Sequence, residues 1–202
     1  MTRVIPLRPP EPPEMHARAM DNLRYIRQTM EAAATFTAVS GWGMVWVGVT
    51  AGVSALLASI TARETRWLFI WLAEAVLSLA ISSYTMALKA RAAKLPLWSE
   101  PARKMVFSFA PPIMVGALLT LVCVERGLVS LIPGIWMLLY GVAVVAAGTF
   151  SVRIIPVMGL AFMAVGSVAL FSPPAWANVE MAIGFGGLHV AFGTLIARRH
   201  GG

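Results

Sequence analysis

Of 202 residues, 58% are apolar and 12% are charged, with a mean hydropathy of +0.77; soluble domains carry about a quarter charged residues, so a soluble globular fold is excluded and the chain belongs in a bilayer. Sixteen Lys and Arg against nine Asp and Glu leave a net charge of +7, which in a soluble protein would suggest nucleic acid. Here the basic residues follow the breaks between apolar runs, so membrane topology accounts for them and nucleic acid is not expected as a partner.

Residues 1–13 hold five prolines, which deny helix and sheet hydrogen bonding and predict a disordered, extended tail. No apolar run of signal-peptide type precedes residue 35, so the chain is expected to insert by its own first span. From 14 to 34 the pattern changes: Ala19, Leu23, Ile26, Met30 and Ala33 recur at helical spacing, and Asp21, Arg24, Arg27, Gln28 and Glu31 fill the opposite face. This predicts a cytoplasmic amphipathic helix whose Asp21/Arg24 and Arg27/Glu31 pairs can neutralise one another. Two uses fit it: docking onto a partner or onto anionic headgroups through Arg18, Arg24 and Arg27, or packing against the loops of its own bundle.

Residues 35–202 read as one membrane domain. A crossing of ~30 Å needs about 20 apolar residues, and six runs qualify: 36–60, 67–88, 105–124, 128–150, 154–171 and 176–197. The predicted fold is therefore all-α, a polytopic membrane protein with six transmembrane helices in three hairpins, 36–88, 105–150 and 154–197. Thirteen of the sixteen basic residues fall in the N-terminal segment, the second-to-third connection, the fourth-to-fifth turn or the C-terminus, and only Arg63, Arg66 and Arg126 lie opposite. The positive-inside rule then places both termini in the cytoplasm.

The first span contains Gly48 and Gly52, a small-xxx-small pair that lets helix backbones approach, either within the monomer or in a dimer. The second holds Glu74, read as the one acid well inside an apolar run, roughly 12 Å from the outer edge at 1.5 Å per residue. Glu74, Ser78, Ser82, Thr85 and Lys89 share a face, with Trp67 and Trp71 above them. An ionisable group at that depth costs about 3 kcal/mol or more unless paired or protonated, so the stripe is expected to point into the bundle. It either lines a path for protons or polar solute, or hydrogen-bonds neighbouring helices through its hydroxyls and a neutral Glu74.

The connection 89–104 carries Lys89, Arg91, Lys94, Arg103 and Lys104, with Pro96 and Pro101 as breakers. It reads first as an ordinary cytoplasmic basic loop, with a surface for anionic lipid or an acidic partner as the alternative. Pro111-Pro112 predicts a kink or a late helix start in the third span. The single cysteine, Cys123, excludes an intrachain disulfide and a cysteine-based metal cage, and reads as a small apolar residue. Trp136 and Tyr140 suggest an aromatic belt, with Tyr140 deep for that role.

Residues 140–153 return forty-five positions later as 185–198 with six of fourteen positions identical: Gly141/Gly186, Val145/Val190, Ala146/Ala191, Gly148/Gly193, Thr149/Thr194 and Arg153/Arg198. Composition would supply roughly one match, so a repeated unit is expected, its hairpins related by an axis along the membrane normal. Gly141, Gly148, Gly186 and Gly193 are its helix-packing positions, and Arg153 and Arg198 mark cytoplasmic helix ends. His189, equivalent to Val144, shares a face with Ala182, Gly186, Gly193 and Ala197, where another helix should come closest. It reads as an interhelical hydrogen-bonder or as a proton relay titrating near pH ~6.5. A depth difference of ~8 Å separates it from Glu74, so direct contact is not expected.

The third hairpin, with Gly159 and Gly166 seven apart, Ala169-Leu170 followed by Pro173 at the outer turn, and Gly186 and Gly193 late in the second helix, resembles the repeated unit of the HdeD-like family of small bacterial membrane proteins. The resemblance covers about half of the chain; the first hairpin lacks the outer-turn proline and has Glu74. It implies a six-helix, three-hairpin protein of the bacterial inner membrane linked to acid stress. No phosphate loop, zinc motif, nucleophile elbow or carboxylate pair is present, so no enzyme and no cofactor is expected. The expected function is a structural or regulatory component of a membrane assembly, with the bilayer, anionic lipid, a second copy or another membrane protein as partners. The alternative is a small proton-linked transporter or channel using Glu74 and His189.

Overall fold

In the computed structural model, which describes residues 15–33, 37–61, 63–94 and 96–200, all regular elements are helices. The first, α1 (Met15–Ala33), belongs to a unit of its own, residues 1–34; residues 35–202 form the second. Within α1 one of the two expected charge pairs is formed, Arg24 Nη1 donating to Asp21 Oδ1 at 3.3 Å. Residues 17–26 are exposed, the apolar Leu23 and Ile26 included. The proline-rich tail 1–13 and the side chains of Arg27 and Glu31 lie outside the described residues.

The second unit contains α2 (Gly41–Ser59), α3 (Glu64–Ala92), α4 (Glu100–Glu125), α5 (Ile132–Gly148) and α6 (Ile154–Phe171). It ends in a continuous run of α7 (Ala177–Met181), a π-helical segment (Ala182–Leu188) and α8 (His189–His200). Six stretches are long and apolar enough to cross a membrane, in the order predicted.

Capping explains where the boundaries differ from the apolar runs. α2 starts at Gly41, not at residue 36, because the Ser40 hydroxyl accepts from the Gly43 N–H at 3.1 Å. In α4 the Ser99 hydroxyl accepts from Ala102 N–H at 3.4 Å, and Pro101 lies in the first turn, where its missing N–H costs nothing. The helix therefore begins five residues before the predicted 105 and runs unbroken through Pro111 and Pro112, so the late start expected there does not occur. Helix α3 likewise extends to Ala92, which shortens the predicted connection 89–104 to residues 93–99. At the far end of α4 the chain turns at Gly127, whose φ of +68° is a conformation open to glycine. There Leu128 N–H donates to Cys123 O at 2.7 Å and Gly127 N–H to Val124 O at 3.2 Å, closing the helix with a Schellman motif.

Close packing does not follow the predicted hairpins throughout. Helix α6 packs chiefly on α5, and the final helix packs chiefly on α2; α3 lies on α2 and α4 on α5. Glycines make the two central pairings. A Cβ on Gly141 would fall 2.6 Å from Gly159 O, and one on Gly159 2.7 Å from Gly141 O. The same reciprocity joins α2 to the final helix: a Cβ on Gly48 would meet Gly186 O at 2.6 Å, and one on Gly193 would meet Gly41 O at 2.8 Å. Gly148 packs on Pro156, but Gly52 has nothing within 4 Å of a Cβ. The predicted Gly48/Gly52 unit therefore divides into one packing glycine and one open position. Between the two pairs lies an apolar core of Met137 and Val144 from α5, Met158 and Phe162 from α6, and Ile196 from α8.

These contacts predict opposite outcomes for two similar substitutions. Gly159→Ala forces α5 and α6 apart and should cost about 1–3 kcal/mol, as overpacking does, lowering the melting temperature in detergent. Gly52→Ala should leave it unchanged. Equal melting temperatures for the two variants would refute the glycine-mediated approach.

Candidate functional site

The predicted polar stripe on α3 divides into three parts. Glu74 is buried, with 6% of its surface exposed. Three hydroxyls converge on it: Thr50 Oγ1 at 2.8 Å and Ser78 Oγ at 2.6 Å reach Oε1, and Ser54 Oγ at 3.1 Å reaches Oε2. Thr50 and Ser54 stand one turn apart on α2, so the cluster joins two helices. Three hydrogen bonds of about 1 kcal/mol net each are of the same size as the penalty of about 3 kcal/mol for an intramembrane acid. The Thr50 hydroxyl also lies 3.0 Å from Val47 O and 3.2 Å from Trp46 O.

Ser82 and Thr85 do not join this cluster: Thr85 donates to Ile81 O at 2.8 Å, and Ser82 is half-buried below Ser78. Lys89 closes the stripe by donating from Nζ to Val39 O at 3.0 Å, ahead of α2. At the opposite end Trp67 Nε1 donates to Asn178 Oδ1 at 2.7 Å, and its ring stacks on Trp136 with centroids 6.1 Å apart.

His189 occupies the second cluster and is 3% exposed. Its Nδ1 lies 2.9 Å from Phe185 O, and its Nε2 lies 2.7 Å from the Tyr140 hydroxyl. A carbonyl can only accept, so Nδ1 carries the ring hydrogen and donates it, leaving Nε2 to accept from Tyr140. Aromatic rings enclose the pair: Phe162 sits 4.7 Å from Tyr140 and 5.2 Å from His189, centroid to centroid, and Phe109 meets Tyr140 edge-on at 5.9 Å. His189 was expected on the face of Gly186 and Gly193, where another helix comes closest; those glycines meet α2, whereas His189 meets Tyr140 of α5 and Phe162 of α6. The π-helical turns Ala182–Leu188 wind more residues per turn than an α-helix, so the 3.6-residue register does not carry through to His189. Tyr140 is correspondingly no aromatic-belt residue but the hydrogen-bond partner of His189. No hydrogen bond joins Glu74 to His189 among the described residues; each is spent in its own cluster.

A second buried acid was not foreseen. Glu180 on α7 is 6% exposed, and its Oε1 is buried without a hydrogen-bond partner, as is Trp71 Nε1. Its position inside the predicted span 176–197 was the available signal. Glu180 lies about one turn past the proline-bearing turn at 172–176, where a sequence cannot distinguish a submerged carboxyl from an interfacial one.

Of the basic residues assigned to lipid or partner docking, Arg18, Arg24, Arg91, Lys94 and Arg103 are exposed, Lys89 is held by Val39, and Lys104 pairs with Glu100 at 2.7 Å. Among the described residues no three His, Cys, Asp or Glu gather to hold a metal ion. No protein-family model, curated protein or solved structure matches the chain.

The two buried acids should respond oppositely to the same change. Glu74→Met removes the partner of three hydroxyls and should destabilise by about 1–3 kcal/mol, whereas Glu180→Met removes an unpartnered polar atom and should stabilise. Thermal unfolding in detergent reads both, and a loss of stability in Glu180→Met would contradict its lack of a partner. For the second cluster, a double-mutant cycle of Tyr140→Phe with His189→Leu should give a coupling of about 0.5–3 kcal/mol. Strict additivity would mean that the two side chains do not interact.

Proposed function

We propose that this is a non-enzymatic multi-pass protein acting as a structural or regulatory component of a membrane assembly, seated in a bacterial inner membrane with both termini in the cytoplasm. One observation carries the reading: the intramembrane groups best suited to moving protons, Glu74 and His189, are consumed in contacts between helices, with Thr50, Ser54 and Ser78 and with Tyr140 and Phe185. The surfaces are where the chain has capacity to spare. Helices α3 and α4 bury only 11% and 17% of their membrane-length windows, against 33–44% in the other four spans. On α1, Leu23 and Ile26 are exposed beside Arg18 and Arg24. Such faces fit a protein partner or a second copy, and the resemblance to the HdeD-like family would make the setting acid stress.

A proton-linked transporter or channel is the second reading, and the unpartnered carboxyl of Glu180 favours it. Native mass spectrometry of the protein extracted from its own membranes in mild detergent separates the two. A reproducible protein partner or homo-oligomer, lost when residues 1–34 are deleted, is the expected result. A bare monomer, together with a pH-dependent flux in liposomes abolished by Glu74→Gln, would overturn the structural reading.

A further inference from the structure

Glu100, Arg103, Lys104, Phe107 and Ser108 follow one another at helical spacing down a single face of α4, and with Phe150 beyond the end of α5 they line a hollow of about 440 Å³. Its upper wall is basic. Lys104 is engaged by Glu100 at 2.7 Å, while Arg103 is exposed and forms no ion pair among the described residues. The hollow therefore carries a net charge of about +1, with apolar rings below it, at the end of α4 where the apolar run begins.

A second feature of the same wall comes from the prolines. Pro111 and Pro112 have no N–H to donate, so the carbonyls of Phe107 and Ser108 lack the helical donors four residues on. Unbonded carbonyls cannot face hydrocarbon, and at membrane depth they are tolerated only against protein or a hydrated space. Such carbonyls take a substitute donor from a neighbouring helix, a hydroxyl or water, and a hydrated group beside Phe107 and Ser108 would supply one. Positive charge above, the proline-freed carbonyls beside, and an exposed Phe107 with a half-buried Phe150 beneath together match the order of a lipid at the interface: phosphate, hydrated glycerol region, acyl chain.

We propose that this hollow binds one anionic glycerophospholipid, with its phosphate on Arg103, its hydrated glycerol region beside the Phe107 and Ser108 carbonyls, and its acyl chains along Phe107 and Phe150. The site is independent of whether α1 engages a partner. Glu100 tempers it, by holding Lys104 and by opposing the phosphate with its own charge.

The test is native mass spectrometry of the delipidated full-length protein titrated with phosphatidylglycerol or phosphatidylcholine in mixed micelles. One phosphatidylglycerol per chain should bind in preference to phosphatidylcholine. Arg103→Ala should weaken it about tenfold, the loss expected for a charge-assisted hydrogen bond, and Glu100→Gln should strengthen it by freeing Lys104. Arg91→Ala, a change to an exposed cation outside the hollow, should leave it unaltered. Equal binding of the two lipids, or an equal loss in Arg91→Ala and Arg103→Ala, would reduce the effect to general surface charge and overturn the site. Should Arg103→Ala fail to fold, the sign of the Glu100→Gln effect decides alone: weaker or unchanged binding sinks the proposal.

Discussion

The close backbone contact of two helix pairs, α5 with α6 and α2 with the final helix, is what the rest of the membrane unit depends on. Lipid tails are as apolar as leucine, so burying apolar surface gives little drive for helices to associate in a bilayer; van der Waals contact and hydrogen bonds must supply it. Glycine maximises the former by letting one backbone touch another. Gly141 and Gly159 do so reciprocally, as do Gly41 and Gly193, and Gly48 seats its backbone against Gly186 O. A methyl group at Gly141, Gly159, Gly48, Gly41 or Gly193 would clash with a backbone atom of the facing helix, which has no side-chain rotamer with which to give way.

Polar groups attach everything else to these two pairs. Tyr140 and His189 link α5 of one pair to α8 of the other, with Phe162 and Phe185 packed around the bond. Helix α3 has no glycine and is held to α2 by Glu74, Thr50 and Ser54, to α7 through Trp67 and Asn178, and to the segment before α2 through Lys89. On the other side α4 is tied to α5 by Trp136 Nε1 donating to Thr120 Oγ1 at 2.7 Å, while Thr120 donates in turn to Gly116 O at 2.7 Å. Acids, hydroxyls and indoles thus serve as fasteners outside the two pairs whose backbones touch at glycine. This division of labour accounts for the intramembrane polar residues by their contacts between helices.

The exceptions are instructive. Glu180 Oε1 and Trp71 Nε1 are buried without partners, an arrangement that costs free energy. Prolines 111 and 112 withdraw two more hydrogen bonds within α4. Local rules are thus broken on α7 and α3, at Glu180 and Trp71, and in α4 near the phenyl-lined hollow.

Much of this was legible in the sequence because it depends on local periodicity. The number of crossings follows from the length of the apolar runs, and the fifth span, 154–171, agrees residue for residue with α6. The inward turn of Glu74 follows from the cost of an acid in lipid, and the seven-residue spacing of Gly141/Gly148 and Gly186/Gly193 places each pair on one face. Only the tertiary structure decided which helix receives each face. Gly186 and Gly193 meet α2, far away in the chain, and Tyr140 meets His189 through a π-helical segment that shifts the register after Ala182. Thr50 and Ser54 became ligands of a carboxyl, and Gly52 became an open position, for the same reason: partners are chosen by the packing of distant segments, which no single helix's spacing encodes.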